Sequence, residues 1–149
     1  MGKNKNRETT TDDLLMSVCS ADTFQEVLSH HTPGQDPSFS MAVYEMMDQK
    51  GISAKEMIRL TGMERSYFYH ILSGARHPGR NMVLRIGFCL GASLPEMNRL
   101  LKLAGFSELY PKRRRDAVLI YAVTHSCTME EADKLLLQAE EEPLFVRQT

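Results

Sequence analysis

A chain of 149 residues, 42% hydrophobic and 25% charged, has room for one domain, or for one domain with an appendage. Its net charge of −1 argues against an indiscriminate coater of nucleic acid. Three cysteines, Cys19, Cys89 and Cys127, lie far apart and form no zinc-binding pattern with the histidines.

The first eleven residues are polar, with no signal-peptide pattern and no following apolar run. Met-Gly is followed by Asn6 rather than Ser or Thr, which poorly suits myristoylation. No transmembrane run is present, so the expectation is a cytoplasmic protein with no membrane partner. Asp12 to about His31 reads helical, in one or two pieces. Leu14, Leu15 and Val18 give one apolar face, and Phe24, Val27 and Leu28 another. Thr32-Pro33-Gly34-Gln35-Asp36-Pro37 is a linker of helix breakers.

The next helix, from about Ser38 to Gln49, carries the stripe Phe39, Ala42, Val43, Met46 and Met47. Two short helices then follow, joined at Gly62. In the first, Ser53 and Glu56 form the S-x-x-E capping pattern, and Ile52, Met57, Leu60 and Met63 anchor the pair. Gly62 suits the left-handed conformation of a sharp turn. In the second helix, about 64–73, Phe68, Ile71 and Leu72 share the inner side. Arg65, Ser66, Tyr69, His70 and Ser73 fall away from it, and Tyr67 sits at the edge. Gly74 ends that helix and Pro78 prevents its continuation. A fourth helix, about Arg80 to Leu90, carries Val83, Ile86 and Leu90, with Cys89 as a small core residue. A fifth starts at the capping box Ser93-x-x-Glu96, carries Met97, Leu100, Leu101 and Ala104, and stops at Gly105.

Beyond it, Pro111 is expected in the first turn of a sixth helix with Ala117, Ile120, Tyr121 and Thr124 inward. Thr128-x-x-Glu131 caps a seventh, with Ala132, Leu135, Leu136 and Ala139 on one face. Strand signals are nearly absent, so the class is all-α. The expected organisation is an N-terminal, partly helical arm (1–35), a central domain (36–106) and a C-terminal helical pair (107–149). Charge is also segregated along the chain. Residues 50–115 hold thirteen Lys/Arg and four Glu, net +9, while each flank is −5. A basic centre between acidic ends fits a module that faces nucleic acid.

The order of turn glycine, apolar spacing, the loop Ser73-Gly74-Ala75-Arg76-His77-Pro78 and the late Leu90-Gly91 with Ser93-Leu94 resembles the Cro/repressor-type (Xre-like) helix-turn-helix family. The resemblance covers about residues 36–105. It implies a five-helix all-α domain whose second motif helix lies in the major groove of double-stranded DNA. It also implies a bacterial or phage style of transcriptional regulator that binds as a homodimer. Carried over residue by residue, Arg65 and Ser66 fall at the base-reading positions, with Tyr69, His70 and Ser73 further along the same face. Arginine can bridge guanine O6 and N7 with two hydrogen bonds. Tyr69 suits a thymine methyl or a phosphate, or else is a half-packed surface tyrosine. Lys55, Arg76, Arg80 and Asn81 fall where the family contacts phosphates. Two positions depart from the pattern: Ala54, where members often carry glutamine, and Ile58, where they favour a small alanine.

Three questions stay open at this level. The run Lys112-Arg113-Arg114-Arg115 stands at a helix start, where the macrodipole disfavours cations. Its partner is either DNA or an acidic stretch, Glu140-Glu141-Glu142 or Asp12-Asp13. The C-terminal pair either braces its own core or pairs with a twin. Finally, the aromatic face of Tyr67 and Tyr69 also suits a protein-interaction adaptor that binds no DNA. An enzyme is not expected. The histidines His30, His31, His70, His77 and His125 show no HExxH spacing, and no glycine-rich phosphate loop exists. No metal, cofactor or small-molecule ligand is implied.

Overall fold

Seven helices follow one another through the described part of the chain, and no strand occurs there. A computed structural model describes residues 38–145 together with Met16, Cys19, Ser20 and Gln25, which are helical. The apolar faces expected around Leu14 and Phe24 lie outside the described residues. The chain divides into two compact units, Met1–Gln35 and Asp36–Thr149. The C-terminal helices therefore belong to the same unit as the central ones.

The helices are α1 (Ser38–Lys50), α2 (Ala54–Thr61), α3 (Arg65–Leu72), α4 (Arg80–Cys89), α5 (Leu94–Leu103), α6 (Arg114–Thr124) and α7 (Met129–Gln138). No helix among the described residues is long and apolar enough to cross a membrane. One core holds the unit together. α1 contributes Phe39, Ala42, Val43, Met46 and Met47, the stripe its 3.6-residue periodicity specifies. α4 adds Val83, Leu84 and Ile86, and α5 adds Met97, Leu100 and Leu101. α4 and α5 approach closely at Gly87, where a Cβ would run into the Met97 thioether.

Helix ends follow local chemistry. The Ser93–Glu96 box is complete: Ser93 Oγ accepts from Glu96 N (3.3 Å) and Glu96 Oε1 accepts from Ser93 N (2.9 Å). The Ser93 backbone N–H first, then the Ser93 hydroxyl and Lys50, hold the Glu96 carboxyl below the usual carboxylate range. Thr128 and Glu131 repeat the device at α7. The Ser53–Glu56 box is only half made. Ser53 Oγ accepts from Glu56 N (3.1 Å), but the Glu56 carboxylate turns one helical step onward to Arg59 Nη2 (2.6 Å). A charged donor outcompetes a neutral N–H for the same carboxylate.

The C-terminal pair departs from its expected register. α6 begins at Arg114, so Pro111 lies in a preceding turn closed by Arg113 N donating to Tyr110 O (3.0 Å). Its buried side is Asp116, Leu119, Ala122 and Val123. Ala117, Tyr121 and Thr124, expected inward, are exposed; Tyr121 is 53% accessible and stacks on His125 with centroids 3.9 Å apart. An aspartate opens the true inner stripe, and periodicity of apolar residues alone passes over it. α6 packs on α5 and α7, and α7 also meets α4. Leu119, Ala122, Ala132 and Leu136 are fully buried there, so the pair braces its own unit.

Candidate functional site

The α2–α3 pair is built around a turn that several groups over-determine. Gly62 adopts φ 70°, and its N–H donates to Ile58 O (3.1 Å). That left-handed conformation favours glycine. Thr61, fully buried, donates its hydroxyl to Met57 O (2.7 Å), and its Oγ1 accepts from Met63 N (3.3 Å). From α4, the Arg85 guanidinium donates to Thr61 O, the last carbonyl of α2. Arg85 lies beneath the Phe145 ring, 4.6 Å from its centroid. Phe145 also covers Gly62, where an added Cβ would sit 3.0 Å from its Cε2. Asp133 on α7 holds this tail in place by accepting from Leu144 N and Phe145 N (2.6 and 3.1 Å). Burial pushes the Arg85 pKa down and raises the Cys89 thiol to about 11. Sequence reasoning missed Thr61, Arg85, Asp133 and Phe145. Only Thr61, a hydroxyl beside the turn glycine, left a local signal.

α3 divides as its angular pattern requires. Phe68 is 0% accessible, with Ile71 and Leu72 buried beside it. Burying each of these side chains contributes about 1.5–3 kcal/mol. On the other side Arg65, Ser66, Tyr69, His70 and Ser73 are all exposed, and Tyr67 is half-buried. Arg65 lies over the Tyr69 ring at 5.7 Å, one helical turn on. Arg76 folds back from the following loop over Tyr67 at 5.8 Å. Ser66 Oγ donates to Glu64 Oε1 (2.8 Å) and Ser73 Oγ donates to His70 O (3.0 Å), so both hydroxyls have local partners. The loop itself is tied down by Arg76 N donating to His70 O (3.1 Å) and by buried Pro78.

The four residues expected at phosphates separate into two pairs. Lys55 and Arg76 are exposed and unpaired with any carboxylate among the described residues. Arg80 and Asn81 are turned onto the C-terminal pair instead. Arg80 meets Asp116 as a fork (3.2 and 3.1 Å), and Asn81 Oδ1 accepts from Arg115 Nη2 (2.9 Å). Asp116, 3% accessible, also accepts from Tyr110 N (2.9 Å). A buried carboxylate needs such partners, and the planar Arg80 fork matches it. The basic run divides in the same way. Arg114 Nε donates to Ala139 O (3.1 Å) and Arg115 Nε to Glu142 O (3.0 Å). These are carbonyls past the end of α7, so the acidic stretch supplies backbone rather than carboxylates. Lys112 and Arg113 are exposed and unpaired among the described residues.

The distribution of ion pairs is therefore uneven. Lys50–Glu96 (3.4 Å), Arg59–Glu56 (2.6 Å), Arg99–Glu45 (4.0 Å) and Lys102–Glu108 (3.0 Å) are matched. Among the described residues, the cations left with no partner but solvent or an aromatic ring are Lys55, Arg65, Arg76, Lys112, Arg113 and Lys134. Apart from Lys134 on α7, they stand at the starts of α2, α3 and α6 and in the loop after α3.

A cavity of about 440 Å³ opens elsewhere, between the ends of α1, α4 and α6 and the start of α5. Lys50 and Glu96 at its wall neutralise one another. Among the described residues no cluster of His, Cys, Asp and Glu could hold a metal ion. Comparison of the chain with protein-family models, curated proteins and solved structures gave no match.

Proposed function

We propose that the chain is a sequence-specific double-stranded DNA-binding protein, a transcriptional regulator of the Cro/repressor type, with α3 in the major groove. The observation that carries this reading is the placement of unpaired cations. Among the described residues carboxylates answer the cations Lys50, Arg59, Arg99 and Lys102, but leave Lys55, Arg65 and Arg76 unanswered on α2, α3 and the loop that follows. Unpaired cations at a helix–turn–helix are available to phosphates and base edges, and phosphate contacts displace counterions. The rigid turn at Gly62 supports it further, since a reading helix must be held at a fixed angle to its neighbour.

In this reading Arg65 is the principal base reader, through guanine O6 and N7. Tyr69, His70 and Ser73 follow it along the exposed face, and Ser66 reaches bases by exchanging its Glu64 partner. Lys55 and Arg76 position the module on phosphates. Arg80 leaves that role, because its guanidinium is committed to Asp116. Asn81 keeps its amide N–H groups for a phosphate while its oxygen serves Arg115. Two copies on half-sites about 34–36 Å apart would give the specificity that one module lacks.

The test is titration of duplex DNA with the full chain over a range of salt, followed by selection of bound sequences from random DNA. The expected result is affinity that falls linearly on a log–log plot of salt, with an enriched, two-fold symmetric site. Absence of duplex binding, or binding indifferent to salt, overturns the reading in favour of a protein adaptor using Tyr67 and Tyr69. A full-length monomer at micromolar concentration, with selected sites lacking symmetry, removes the dimer alone.

A further inference from the structure

The geometry points to a second phosphate-binding element outside the α1–α5 helices: Lys112 and Arg113, held beside the start of α4 to grip the DNA backbone flanking the site read by α3. The inference rests on the DNA-binding reading and extends it to the C-terminal pair.

Three bonds place the first turn of α6 against the first turn of α4: the two of the Arg80–Asp116 fork, and Arg115 Nη2 to Asn81 Oδ1 at 2.9 Å. Asp116 Oδ2 also takes the Tyr110 N–H, and Arg113 N donates to Tyr110 O. The segment carrying Lys112 and Arg113 is thus fixed at both ends before any ligand arrives. Arg113 is three residues from Asp116, so their Cα atoms lie within about 11 Å. α4 starts directly after the loop that carries Arg76 over Tyr67. Phosphates recur every 3.4 Å of axis along one strand, so a reach of at most about 11 Å spans no more than roughly three nucleotides.

Charge gives the second, independent argument. Arg80, Lys112, Arg113, Arg114 and Arg115 crowd this corner, while its one ion-paired carboxylate among the described residues is Asp116. Arg80 consumes that carboxylate. Arg114 and Arg115 turn away to the carbonyls of Ala139 and Glu142. Glu140, Glu141 and Glu142 stand near those two arginines, yet none forms an ion pair with Lys112 or Arg113. Two exposed cations are thereby presented at the start of a helix, where its dipole adds to their positive potential instead of relieving it. An exposed anion relieves both, and a polyanionic backbone supplies closely spaced anions.

The experiment compares the full chain with its K112Q/R113Q variant on the selected duplex, carried once with long flanks and once trimmed to the site. Both residues are exposed and make no side-chain bond among the described residues, so the variant should melt like the parent. On the long duplex the salt slope should fall by about one to two units, and affinity at 0.1 M salt on the order of tenfold, with sequence preference unchanged. On the trimmed duplex the two proteins should bind alike. Hydroxyl-radical footprinting of the parent protein should protect sugars beyond the α4 contact, up to about three nucleotides away. An unchanged slope on the long duplex, or a footprint ending at α4, overturns the clamp while leaving the reading head intact. A parent protein that binds no duplex at any salt overturns the DNA-binding reading itself, and the clamp with it.

Discussion

The outer face of α3 with its following loop, and the first turn of α6 with its α4 neighbour, all carry arginines, yet the arginines behave differently. On α3 and its loop, Arg65 and Arg76 lie over tyrosine rings and meet no carboxylate among the described residues. At α6, Arg114 and Arg115 are spent on carbonyls and an amide, and Arg80 from α4 is spent on a buried aspartate. A guanidinium on an aromatic face keeps its donors for a further partner, whereas one in a fork with a carboxylate does not. The lesson is that basic density along a chain measures neither availability nor role. A sequence run of four cations resolves into two structural ties and two open groups.

Substitutions can break this comparison. The largest expected effect is on stability at the tied corner. Asp116→Ala should cost about 3 kcal/mol, because it strands the Arg80 fork and the Tyr110 N–H in a poorly solvated place. Urea denaturation measures it. A loss below about 0.5 kcal/mol would show that the corner does not hold the C-terminal pair.

On the exposed face of α3 the proposed function moves the expected effect from stability to binding. Arg65→Ala should lose about 1–3 kcal/mol of specific DNA affinity and relax preference at one base position per half-site, with its unfolding midpoint unchanged. Binding of the selected site at parental strength would remove Arg65 as a base reader.

Arg76→Ala and Arg80→Ala sharpen the contrast directly. Arg76→Ala should flatten the salt slope by about one unit at unaltered stability, weakening specific and random DNA alike. Arg80→Ala should do the reverse, lowering the unfolding midpoint and leaving the slope nearly as it was. Identical behaviour of the two variants in both assays would erase the distinction between an open and a tied arginine.

The smallest effect concerns pH. The Glu96 carboxyl is held below its ordinary value by the Ser93 backbone bond first, so its contribution is present above the unfolded pKa of about 4.3. That contribution is lost as pH falls through the lower folded value. Glu96→Gln should lower stability slightly at pH 7 and change little well below about pH 4, so that the acid limb becomes shallower. An acid limb of the same depth in the variant would assign it to other carboxylates.

Much of the architecture was legible in the chain because its determinants are local. The α1 stripe, the inner triad Phe68, Ile71 and Leu72, the turn at Gly62, and the boxes Ser93–Glu96 and Thr128–Glu131 all follow from spacing within one or two turns. The exposure of Arg65, Ser66, Tyr69, His70 and Ser73 follows from the same angles.

Only the tertiary structure decided what became of the polar groups that reach across the fold. Asp116 lies 36 residues from Arg80, Arg115 lies 34 from Asn81, and Arg85 finds Thr61 24 residues back. Asp116, turned inward by its fork, set the register of α6 against the periodicity of its apolar residues. The physical reason is that apolar burial is satisfied by a whole face and shows up as a period. A buried charge is satisfied by one partner with directed bonds, and that partner is found by folding rather than by spacing.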